Sequence, residues 1–114
     1  MSSKRDELVE KYAAHIREKF NTAPDISLLE KVARGLGPAI YNRDASTVSG
    51  TDEREMETVK KNFLIKKLGL EDSPELMEAI RKVMGTYGAG ERTKYRAVVY
   101  YMLTRHFRAE AVYS

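Results

Sequence analysis

Only two histidines, His15 and His106, and no cysteine are available for acid–base or nucleophilic chemistry in this 114-residue chain. The missing thiol excludes disulfides, thiolate metal sites, iron–sulfur clusters and cysteine nucleophiles. Catalysis needs convergent titratable groups on a firm frame. On a helix turning about 100° per residue, His106 falls in the apolar arc of Tyr95, Val99, Met102 and Leu103. It also lies near a helix carboxyl end, where the dipole favours a protonated imidazole. Packing with one hydrogen bond is its expected role. His15 borders the apolar stripe of its own segment and is expected to be exposed. A metal site built on the pair needs carboxylates that no spacing supplies. The expectation is no enzyme, no metal and no cofactor.

Two turn-rich stretches resemble ligand loops. Asp44-Ala45-Ser46-Thr47-Val48-Ser49-Gly50, with Glu55 at the twelfth place, has the outline of a calcium loop between helices. That pattern wants an oxygen ligand fifth and Gly sixth, where this chain has Val48 and Ser49. Capping and turn formation is the favoured reading. Gly88-Ala89-Gly90-Glu91-Arg92-Thr93-Lys94 sets glycines before a basic helix start, an arrangement that can receive phosphate on backbone amides. No strand precedes it and the Walker spacing is missing, so the glycines are read as ending one helix and reversing the chain.

The most informative candidate surface is basic. Lys94, Tyr101, Arg105 and Arg108 project within about 60° of one another on the back of a last helix. Cations beside an aromatic ring suit an acidic protein partner, with Tyr and Arg as anchors. They also suit nucleic acid, with phosphates neutralised and a base stacked. The plain alternative is a solvated face. Arg92 and Arg96 point instead toward the edge of the apolar arc. Lys60-Lys61 and Lys66-Lys67 form a second basic set whose methylene stems can cover core residues. Thr58, Lys61 and Asn62 would be the contacts of a helix-turn-helix, but the connection over 42–50 is too long for its usual turn.

Charge is uneven along the chain. Residues 1–57 hold nine Lys/Arg against eleven Asp/Glu, net −2, whereas 58–114 hold eleven against six, net +5. Such asymmetry points to a surface with a preferred partner. The 42% apolar and 32% charged fractions fit a globular chain and argue against disorder. The longest apolar run, Ala97 to Leu103, is too short to cross a bilayer, and no apolar block follows the Met1-Ser2-Ser3-Lys4 start, so a cytoplasmic protein without membrane association is expected.

Helical spacing recurs from end to end. Leu8, Tyr12, Ile16 and Phe20 step by four, with Val9 and Ala13 beside them, behind a cap at Ser3 and Asp6. Asn21-Thr22-Ala23-Pro24 closes that helix. A second begins near Ser27, with Glu30 placed for a capping box, and carries Leu28, Leu29, Val32 and Leu36. Gly37-Pro38 must kink it or restart it with Pro38 first. Asp44 and Ser46 suit one short capped turn. Asp52 and Glu55 open a third helix with Met56, Val59, Phe63, Leu64 and Leu68 inward, stopped by Gly69 and Leu70. Ser73-Pro74-Glu75 opens a fourth, with Leu76, Met77, Ile80, Val83, Met84 and Tyr87 inward, ended by Gly85, Gly88 and Gly90. The fifth is expected over Arg92 to Phe107 with Tyr95, Val98, Val99, Met102, Leu103 and Phe107 inward. Period-two alternation is missing throughout. The reading is all-α: about five helices in one bundle-like domain over 1–114, ordered from about 4 to 108.

Three segments carry a resemblance. Arg43-Asp44-Ala45-Ser46-Thr47-Val48-Ser49, Phe63-Leu64-Ile65-Lys66-Lys67-Leu68-Gly69-Leu70 and Tyr100-Tyr101-Met102-Leu103 occur in the order and spacing of a small bacterial family, domain-of-unknown-function family 2853. The similarity runs from about Leu8 to Phe107, and its middle motif is the most specific. Pro38 and a longer amino end depart from the family pattern. The resemblance implies a compact helical domain and brings no activity, cofactor or catalytic residue with it.

The leading functional expectation is therefore a non-enzymatic module that binds a protein partner through the basic face of its last helix. A nucleic-acid accessory protein is the rival. An enzyme or ligand binder with a pocket at His15 or His106 ranks third. Tyr41 and Tyr113 are left over as interface or exposed rings.

Overall fold

The first helix opens on a reciprocal cap. Ser3 Oγ accepts the Asp6 amide and the Asp6 carboxylate accepts the Ser3 amide, each at 3.2 Å. Two amides that the helix itself cannot satisfy are thereby paired. A computed structural model describes residues 3–113; Met1, Ser2 and Ser114, the ends of the expected 1–114 span, lie outside the described residues. Among these, five α-helices follow in order: α1 (Lys4–Phe20), α2 (Ile26–Leu36), α3 (Glu53–Thr58), α4 (Pro74–Tyr87) and α5 (Arg96–His106). The fold is an all-α bundle.

Boundaries differ from the sequence reading where a neighbouring residue caps better. Asp25, not Ser27, caps α2, its carboxylate accepting the Leu28 amide at 3.2 Å. Past α2 the chain restarts as a 3-10 turn, Gly37–Tyr41, with Pro38 in its first turn. Gly37 sits at φ 62°, a conformation that glycine adopts without steric cost. Asn42, rather than Asp44, caps the next turn, taking the amides of Asp44 and Ala45 on Oδ1. Ser73 occupies the N-cap position of α4 but its side chain makes no capping bond. Gly85 lies inside α4, which continues to Tyr87.

Beyond α3 the helix widens into a π segment, Val59–Ile65. Amides there reach five residues back, Lys66 to Lys61 and Leu68 to Phe63. The wider turn suits the four- and five-residue steps between Val59, Phe63, Leu64 and Leu68, all of which are buried as expected. Gly69 at φ 74° then stops the chain, and Leu70 folds back with its amide on the Leu64 carbonyl.

α5 is the central helix, packed against α1, α2 and α4. Ala97, Val98, Val99, Tyr100, Tyr101, Leu103 and Thr104 are all buried, so it has almost no solvent face. It starts four residues later than expected. Arg92 to Tyr95 is instead non-helical, and Thr47 and Tyr95 form an isolated antiparallel bridge. Val48 donates to the Lys94 carbonyl and Arg96 to the Ser46 carbonyl, both at 2.8 Å. The core joins residues of every helix, and each fully buried Leu, Ile or Val contributes about 1.5–3 kcal/mol. Order extends past the expected limit at 108: a closing 3-10 turn, Glu110–Tyr113, lays the Tyr113 ring beside Gly35 of α2.

Candidate functional site

The expected basic face does not form. Lys94 lies before α5 begins, and Arg108 lies beyond its end at φ 53°, so neither follows the helix's angular spacing. Lys94 is 5% exposed, its ammonium donating to the Glu91 carbonyl at 2.5 Å. Tyr101 is 2% exposed, because α2 covers the side of α5 that the spacing had assigned to solvent. Its hydroxyl accepts the Asp25 amide at 2.7 Å, and a buried phenol thereby finds its polar partner at the start of α2. Only Arg105 and Arg108 remain exposed, and Arg105 makes a long, exposed contact of 3.8 Å with Glu110.

The histidines exchange roles. His15 is half-buried, its Nδ1 at 2.6 Å from the Tyr87 hydroxyl. That hydroxyl also accepts the Tyr95 amide at 3.2 Å. Tyr95 packs on His15 and on Tyr12, and Phe20 meets Tyr87 edge-on at 5.3 Å. Burial pushes the Tyr87 phenol well above its ordinary value, and burial followed by the nearby Tyr95 and Tyr41 pushes Tyr12 up to about 12. His106 stands exposed at the end of α5 against Phe107. Among the described residues no group of three or more His, Cys, Asp or Glu is placed to hold a metal ion.

Arg96 is the polar hub that spacing did not reveal. Its guanidinium donates to the carbonyls of Ala45 and Thr47, to the Tyr100 hydroxyl and to Glu55 at 2.6 Å. Burial works against that cation, but the bonds to Tyr100 and Glu55 outweigh it and its pKa is raised. Nearby, Glu91 is held below the ordinary carboxylate range by the Thr93 amide and then by Lys19, 3.1 Å away. Lys60 is anchored between Glu57 and Asp72, consistent with a packing role.

Among the recesses open to a ligand or partner, three features bear on the expected surfaces. A groove of about 340 Å³ between the end of α1, α4 and α5 has Phe20, Val83 and Met102 on its floor and Lys82, Arg105 and His106 on its rim. A shallower recess gathers Lys31, Arg34, Lys67 and Tyr113, with the Lys67 ammonium 5.1 Å from the Tyr113 ring centre. Burial raises that phenol to about 12. The third feature lies between residues 47–51, which overlap the Asp44–Gly50 stretch singled out from sequence, and the 88–94 stretch.

The family model described as "protein of unknown function (DUF2853)" matches residues 11–111. That span takes in most of α1 and every later helix. The chain belongs to the DUF2853 family. The match reaches four residues beyond Phe107, into the closing 3-10 turn, so the Tyr113 end packs directly behind the family region. No curated protein matches this DUF2853 chain. No helix among its described residues is long and apolar enough to cross a membrane.

Proposed function

We propose that this DUF2853 chain is a cytosolic, non-enzymatic protein-interaction module that docks an acidic amphipathic segment of a partner. The observation that carries the reading is the groove that Phe20, Val83 and Met102 line between Lys82, Arg105 and His106. An amphipathic helix would bury its apolar side chains on that floor while its carboxylates meet the rim. The +5 charge of residues 58–114, which supply all of the rim, favours an acidic occupant. Arg105 is retained from the expected face; Lys94 and Tyr101 are not, because both are buried. No reaction is assigned, since His15 is engaged by Tyr87 and His106 stands alone on the rim.

A second reading, a nucleic-acid accessory protein, is favoured by Lys31, Arg34 and Lys67 around Tyr113. None of the three makes an ion pair within the described residues. One titration separates the two. A fluorescent Glu/Leu-patterned peptide, single-stranded DNA and duplex DNA are each added at two salt concentrations. The first reading expects saturable peptide binding that Lys82→Glu with Arg105→Glu abolishes. The second expects DNA binding that weakens steeply with salt, and that Arg34→Glu with Lys67→Glu removes.

A further inference from the structure

Lys94 is buried, and among the described residues no carboxylate forms an ion pair with it. The residue is 5% exposed, and among the described residues its ammonium donates to the Glu91 carbonyl alone. An ammonium has three protons to place, and removing it from water is unfavourable unless an anion compensates. The nearby acids are already committed. Glu91 binds Lys19 and the Thr93 amide, while Glu53 binds Arg81 at 3.3 Å. Arg92, exposed on the same loop, makes no ion pair within the described residues.

Lys94 is a shared wall of two adjoining recesses. One, of about 330 Å³, is polar: Ser49 and Thr51 bring hydroxyls from one loop, and Ala89, Arg92 and Glu91, whose carboxylate is taken up by Lys19 and the Thr93 amide, come from the other. The second, of about 440 Å³, runs from Gly50, Thr51, Ala89 and Lys94 toward Met56 and Met84. The Thr47–Tyr95 bridge holds the two loops together. Gly50 makes room for the ammonium: a Cβ there would stand 3.1 Å from Lys94 Cε and 3.5 Å from Nζ. A buried lysine at the junction of a recess carrying exposed loop hydroxyls and Arg92 with a methionine-lined recess is the layout of a pocket for an anion with an apolar body.

We infer that the cleft between the 47–51 and 88–94 loops binds a small amphiphilic anion, its oxyanion head on Lys94 and Arg92 and its apolar body toward Met56 and Met84. The head is a carboxylate or a phosphate; both accept charge-assisted hydrogen bonds from an ammonium and a guanidinium.

The test uses the full chain with sodium hexanoate and sodium phosphate as probes, against sodium chloride at matched ionic strength. Backbone amide shifts and thermal unfolding are the readouts. Saturable shifts centred on Gly50, Thr51 and Ala89 with either probe support the site, and the stronger probe identifies the head group. Lys94→Met should weaken that binding about tenfold or more, and Arg92→Gln about threefold to tenfold, as expected for loss of charge-assisted bonds. Because Lys94→Met can fail to fold, exposed Arg92 carries the decision on its own. Shifts that do not saturate with either probe, or an unchanged affinity in Arg92→Gln, overturn the inference.

Discussion

The Arg96 guanidinium and the Glu55 carboxylate meet at 2.6 Å, and this contact joins α3, just past the loop over 42–50, to the central helix α5. The same guanidinium donates to two carbonyls of that loop, Ala45 and Thr47. Arg96→Met would strand both carbonyls and leave Glu55 without its cation. A loss of about 2–3 kcal/mol is expected, read as a lower urea midpoint. Arg96→Lys should recover less than half of it, because an ammonium cannot reproduce the planar fork. Full rescue by Lys would show that charge alone matters.

The contrast between Arg96 and the expected face of Lys94, Tyr101, Arg105 and Arg108 shows what periodicity can and cannot read. Apolar spacing finds helices and cores well: Met56, Val59, Phe63, Leu64 and Leu68 are all buried, although the π widening between them left no separate mark in the sequence. Spacing assigns faces on the premise that one side of each helix meets water. α5 violates it, being wrapped by α1, α2 and α4. Tyr101 could be buried because the Asp25 amide, 76 residues away, supplies its polar partner. Ala97-Val98-Val99-Tyr100-Tyr101, uninterrupted by charge, was the one signal of a helix buried all round. Lys94 was beyond any angular reading, since the bridge to Thr47 delays the start of α5, and Arg96, read only as edging the apolar arc, is half-buried against the carbonyls of Ala45 and Thr47.

Alkaline stability follows from three phenols. Tyr12 and Tyr113 are raised to about 12, and Tyr87 is raised as well, burial being the first cause in each. An unfolded chain ionises its tyrosines near pH 10. Above that pH the native state holds more protons than the unfolded state, so stability falls as pH rises toward 12 and is fully present below 10. Helix content and phenolate absorbance, followed together, should show these three rings ionising only as the helices melt. Complete ionisation with the helices intact would contradict it.

Aromatic stacking ties the π segment to the central helix. Phe63 and Tyr100 lie nearly parallel, 15° apart, with ring centres separated by 3.8 Å. Phe63→Ala should cost about 3–5 kcal/mol, combining lost burial with a cavity beside α5. Phe63→Leu keeps most of the apolar volume and should cost less than half as much. Equal losses for the two would mean that ring geometry, rather than volume, dominates.

The His15–Tyr87 hydrogen bond can be separated from simple packing by a double-mutant cycle. Tyr87→Phe removes the hydroxyl that pairs with His15 Nδ1 and accepts the Tyr95 amide. The orphaned amide sits in a half-buried position, so the expected cost is about 1–3 kcal/mol. His15→Phe preserves a ring against Tyr95 while removing only the nitrogen, and its cost should be smaller. Since the two groups share one bond, the double variant should fall short of the summed losses by about 0.5–1.5 kcal/mol. Strict additivity would mean that α1 is held to α4 by ring contact, with Phe20 on Tyr87 carrying that join in place of the imidazole.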